Sequence, residues 1–109
     1  MEPISGDALR GHLETMALAA LERGQAHGLE VLRRLTEAGC GAIRLKEGSL
    51  YPALYRLERR GWVEAEWGTS ELGRRAKFYR LTDKGREQLE AETAMWRRFS
   101  AGVSKVLLS

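Results

Sequence analysis

Between Glu47 and Gly68 the chain reads EGSLYPALYRLERRGWVEAEWG, and its apolar period switches there from that of a helix to that of a strand. Leu50, Leu54 and Leu57 recur on one helical face. After Gly61, WVEAEW alternates apolar and polar side chains, the period of a half-buried strand. A helix that passes so directly into a strand leaves few folds open. Its apolar face must be covered by other helices, and the strand must find a partner of its own. That partner is the later run AKFYRLT, with Phe78, Tyr79 and Leu81, across the loop GTSELGRR; together they predict a β-hairpin with an arginine-rich tip. Ser49 is expected as the N-cap of the helix, which places Pro52 in the first turn, where a missing N–H has no intrahelical partner to lose.

Upstream, a first helix is expected over about 8–23, with Asp7 as N-cap, Gly24 at its end, and Leu9, Leu13, Met16, Ala17, Ala20 and Leu21 at helical spacing. GQAH reads as a turn. A second helix follows over about 28–38, with Leu29, Leu32 and Leu35 as its buried stripe and Gly39 closing it. GCGAIRL reads as extended, Ile43 and Leu45 alternating. Downstream of the hairpin, Thr82 or Asp83 caps a long helix over about 84–107, weakened slightly by Gly85 and Gly102. Its apolar residues Leu89, Trp96, Phe99, Val103 and Val106 follow a heptad seam with one gap. The order predicts a mainly α fold with a small β-hairpin (α+β). It is a winged helix-turn-helix over residues 1–82, joined in one compact body to a dimerisation helix over residues 83–109.

The charge pattern narrows the function. Net charge is only +3, yet residues 44–86 carry eleven basic against six acidic side chains, while residues 1–43 are net acidic. A local basic patch is the footprint of a nucleic-acid binder. Enzymatic readings find no support: His12 and His27 lie fifteen residues apart, and no carboxylate or cysteine cluster has metal-ligand spacing, so neither a metal nor a cofactor is expected. Cys40 is the single cysteine and reads as a small side chain in a turn. No apolar run reaches the length of a membrane span and no signal pattern opens the chain, which predicts a cytoplasmic protein with no membrane partner.

On the third helix Ser49, Tyr51, Pro52, Tyr55, Arg56 and Arg59 lie off the leucine face. An α-helix fits the major groove of double-stranded DNA and reads base edges from its N-terminal half. Ser49, Tyr51, Pro52, Tyr55 and Arg56 are therefore expected in the groove, Lys46 just ahead of them on a phosphate, and Arg74, Arg75 and Lys77 as contacts from the wing. The last helix is too long to bury its seam on so small a domain, so Leu89, Trp96, Phe99, Val103 and Val106 are expected at a homodimer interface. Trp96, between paired helices, would also face a flat aromatic ligand. Two other readings use the same features: a winged-helix module that binds an acidic protein, and a dimer that binds an aromatic compound without specific DNA binding.

EGSLYPALYRLERRGWVEAEW followed by RRAKFYRLTDKGREQL closely resembles the PadR family of bacterial transcriptional regulators, and LRGHLETMALAALERGQAHGLEVLRRL is similar to that family's first two helices. Leu29 departs from the pattern, which often has tyrosine there. The resemblance implies a dimeric winged-helix repressor of its own or nearby promoters, with the last helix set against the partner's N-terminal region, hence Leu9 and Leu13 at the interface. It also implies release by a small aromatic effector. On the matching positions, Ser49, Tyr51, Pro52 and Tyr55 form the groove-facing set, and Arg74, Arg75 and Lys77 form the wing contacts.

Overall fold

The computed structural model describes residues 2–109, apart from the side chain of Asp7, so the expected Asp7 cap lies outside the described residues. A short 3-10 turn over Gly6–Leu9 precedes α1 (Leu13–Leu21), β1 (Ala26–His27), α2 (Gly28–Ala38), α3 (Glu47–Arg59), β2 (Val63–Thr69), β3 (Arg75–Leu81) and α4 (Asp83–Leu107). The α+β class and the hairpin stand as expected. The first helix is shorter than expected: His12 N–H bonds back to the Leu9 carbonyl at 3.0 Å, a turn bond that separates the two segments.

Two further boundaries differ from the expectation. GQAH, expected as a turn, is not one: the turn falls on Glu22 and Arg23, and Ala26 pairs with Tyr79 and His27 with Phe78 to give a three-stranded antiparallel sheet in the order β1-β3-β2. Two residues are too few to show an alternating period. In α2 the core-facing stripe is Val31 and Leu35, whereas Leu29 is 47% exposed. The cap of α2 is His27, whose Nδ1 accepts the Glu30 N–H at 3.2 Å.

The start of α3 is also corrected. The helix begins at Glu47 with Lys46 as N-cap, and Ser49 lies inside it and caps nothing. Pro52 is then the sixth helical residue, and its missing N–H leaves the Gly48 carbonyl without its usual partner. Both residues are exposed, so water can take that carbonyl.

Leu18, Leu21, Val31, Leu50, Leu54, Leu57 and Val63 are the largest fully buried side chains, and they join the first three helices to the sheet. Ala53, Leu54, Leu50 and Leu57 form the inner face of α3. The hairpin register, Val63 opposite Leu81 through Thr69 opposite Arg75, sets Val63, Ala65, Trp67, Lys77, Tyr79 and Leu81 on one side of the sheet. At the head of α4, Thr82 Oγ1 accepts the Gly85 N–H at 3.0 Å while its hydroxyl donates to the Gly61 carbonyl at 2.7 Å. Leu89 packs into the common core, and Thr15 of α1 bonds Glu92 at 3.3 Å. Beyond that point α4 projects outward, Trp96 still touching His12, and the chain as a whole measures 52 × 33 × 20 Å.

Candidate nucleic-acid interface

With Leu50, Ala53, Leu54 and Leu57 turned inward, helical spacing fixes what the rest of α3 presents. Gly48, Pro52, Tyr55 and Arg59 follow one another at steps of four, three and four, so they form the pole opposite the core. Arg59 holds its guanidinium 5.9 Å from the centre of the Tyr55 ring, a cation–π contact that orders both side chains. Arg59 lies on this outward pole, although the groove-facing set expected from sequence omits it. The same helical spacing was the signal for it.

The two flanks of α3 are tied to their neighbours. Towards α1, Arg56 Nε donates to Glu14 at 3.1 Å, and Arg60 donates to the same carboxylate. Arg56, expected in the groove, is thus turned to α1. Towards the wing, Glu58 accepts from Lys77 Nζ at 2.9 Å, and this bond raises the Lys77 pKa. Lys77 accordingly stands on the sheet beside α3, away from the wing tip. Tyr51 lies on the same flank, 42% exposed, with its ring against Gly28, where a Cβ would come within 2.4 Å. Burial, then the Glu47 charge, pushes its pKa up, so its hydroxyl stays protonated and able to donate.

At the wing tip, Ser70 N–H bonds the Arg74 carbonyl at 2.8 Å, and Ser70 Oγ accepts the Arg74 N–H at 3.3 Å. Arg75 stacks on Trp67 with 4.8 Å from guanidinium carbon to ring centre. His27 reaches the tip as well: with Nδ1 accepting from Glu30, its Nε2 carries the proton and donates to Glu71 at 3.4 Å. The Glu71 pKa is lowered by its own backbone N–H and by this histidine. The buried ring of His27 thus caps α2 and tethers the wing. Between wing and helices lies a cleft of 620 Å³, bordered by Tyr51, Trp67, Leu72, Arg74 and Arg75. On the far side of α3 a second cleft, of 470 Å³, is lined by Arg44, Lys46, Ser49, Pro52, Arg56 and Glu14. Lys46, Arg59, Arg74 and Arg75 make no ion pair among the described residues.

The expected interface residues divide in two. Leu9 and Leu89 are covered by the chain's own core and Leu13 is partly so, whereas Trp96, Phe99, Val103 and Val106 are exposed, together with Met95 and Leu107. Trp96 makes an edge contact with His12 at 5.3 Å and a tilted one with Phe99 at 6.0 Å. Cys40 is exposed, in the turn after α2. No group of residues that could hold a metal ion occurs among the described residues.

A helix pair whose second member shows a polar, cationic pole beside a basic hairpin defines a winged helix-turn-helix DNA-binding protein. Residues 17–91 match the profile of the Transcriptional regulator PadR-like family, and the chain belongs to that family. Its structure is similar to that of a transcriptional regulator from Clostridium thermocellum, at 28% identity and a TM-score of 0.84, covering 95% of this chain and 98% of that one. A PadR-like transcriptional regulator from Bacillus cereus shares 33% identity at a TM-score of 0.79, over 95% of this chain and 99% of the other. A PadR family transcriptional regulator from Eggerthella lenta shares 33% identity at 0.78, over 93% and 86%. The protein is a DNA-binding transcriptional regulator, and not an enzyme. Among the described residues no helix is long and apolar enough to cross a membrane.

Proposed function

We propose that the protein is a homodimeric repressor of nearby promoters in the cytoplasm, released from its operator by a small aromatic compound. The observation that carries the DNA part is the outward pole of α3 between unpaired cations. Pro52, Tyr55 and Arg59 face out, with Lys46 and Ser49 beside the helix start and Arg74 and Arg75 on the wing. Tyr55 and Arg59 read base edges, Tyr51 donates to the backbone from its flank, and the lysine and wing arginines hold phosphates. Residues 1–82 bind DNA and residues 83–109 join the protomers. The dimer rests on Trp96, Phe99, Val103 and Val106, an apolar row left exposed on α4. Trp96, with His12 and Phe99 beside it, offers aromatic faces to an effector at that junction.

Titration of duplexes carrying the protein's own upstream promoter, at fixed salt, tests this reading. Tyr55→Ala is expected to weaken operator binding by about 5- to 150-fold, the range of one lost base contact, with an unchanged melting temperature. Equal affinity of variant and parent would remove Tyr55 from the site. Phe99→Asp is expected to shift the sedimenting species to the monomer, and a dimer that persists would place the interface elsewhere. A promoter–reporter assay separates repression from activation. Quenching of Trp96 fluorescence by phenolic compounds, with loss of the DNA complex, tests the effector.

A further inference from the structure

We propose that Glu14 limits how strongly the recognition helix holds DNA of any sequence, by keeping Arg56 paired to itself and off the phosphate backbone. This rests on the reading that α3 docks on DNA. Glu14 stands in the first turn of α1, its side chain 28% exposed, and it receives Arg56 Nε at 3.1 Å while Arg60 donates to its other oxygen. Among the described residues it is the one acid lining a cleft that Arg10, Arg44, Lys46 and Arg56 also border, next to the first turns of α3. That cleft lies on the flank of α3 opposite the wing, where a duplex seated on the helix brings its second backbone.

The two arginines are not equivalent. Arg60 also lies over the Trp62 ring at 5.1 Å and keeps that contact without Glu14. Arg56, 48% exposed at its side chain, pairs with Glu14 alone among the described residues and is freed when the carboxylate is neutralised. A freed arginine contacts phosphate on every duplex, because phosphate contacts carry no sequence information. Glu14 is thus a positioning residue that withholds charge from sequence-independent binding. A carboxylate that served only to brace α1 against α3 predicts the opposite sign: without it the helix loosens and DNA binding weakens.

The experiment measures binding to an operator duplex and to a duplex of unrelated sequence across a salt series, for wild type, Glu14→Gln, Arg56→Gln and the double variant. The salt slope on unrelated DNA is expected to steepen by about 0.9 per protomer in E14Q, one added phosphate contact, and to return to the parent value in the double variant. Arg56→Gln alone is expected to leave the slope as it was, because Arg56 is already neutralised. An E14Q slope equal to or shallower than the parent's overturns the proposal, and so does a flatter slope for R56Q alone. Should E14Q unfold, R56Q alone decides. A wild type that binds neither duplex overturns the DNA reading itself; a wild type that binds, with E14Q unchanged, overturns only the role of Glu14.

Discussion

Replacing Gly85 with alanine is expected to destabilise the protein by about 3 kcal/mol, the upper part of the usual range for overpacking, although Gly85 lies in a helix where alanine is the better former. A Cβ at this position would come within 1.9 Å of the Trp62 carbonyl oxygen and 3.2 Å of Leu81. The clash is with backbone, so no side chain can swing away. Nor is the Trp62 carbonyl free to move, because it accepts at 3.1 Å the N–H of Thr82, the N-cap of α4. Relief requires either the helix head or the β2 entrance to shift, and both carry core residues. For a domain of this size the loss corresponds to a fall of roughly 10–20 °C in melting temperature. Thermal and denaturant unfolding check it, and a loss under about 1 kcal/mol would mean that the α4 junction relaxes freely.

The second large effect concerns the wing. Arg74→Ala with Arg75→Ala is expected to flatten the salt dependence of binding by about 1 to 2 per protomer, because each neutralised phosphate contributes about 0.9 to the slope. At about 0.1 M salt the double variant is expected to bind roughly sixtyfold more weakly per protomer, on operator and unrelated DNA alike. The equality across sequences is the discriminating feature, since backbone contacts position the protein without reading bases. A loss confined to the operator would instead place these arginines on base edges. An unchanged slope would remove the wing from the interface. Lys77 serves as an internal comparison: it is paired with Glu58, so Lys77→Ala should alter the slope much less than either arginine.

Much of the fold was legible in the residues because local physics dictates it. The bounds of α2, the hairpin, the Thr82 cap and the inner leucines of α3 follow from period, cap chemistry and glycine placement. The errors have physical causes as well. Serine is a good N-cap, but three residues earlier Lys46 already has the extended backbone that begins α3, so Ser49 falls inside the helix. Leu29 has helical spacing to Leu32 yet lies on the side where the wing leaves α2 open. In the candidate site, the residue types and the helix that carries them were readable, while their pairing was not. Arg56 and Arg59 look alike in a row of letters. One faces Glu14, which is 42 positions away in the chain, and the other faces solvent over Tyr55.

The same division holds for the whole protein. By itself the sequence determined the four helices and the two hairpin strands, that the middle of the chain is basic, and that a helix starting near a Leu-Tyr-Pro run leads into a hairpin. Each of these depends on neighbours within one or two turns. The tertiary structure alone decided which cations remain unpaired, why Gly85 differs from Gly102, how His27 joins α2 to the wing, and which of the seam residues on α4 are left uncovered. Those properties depend on contacts between residues distant in the chain, and spacing along the sequence carries no record of them.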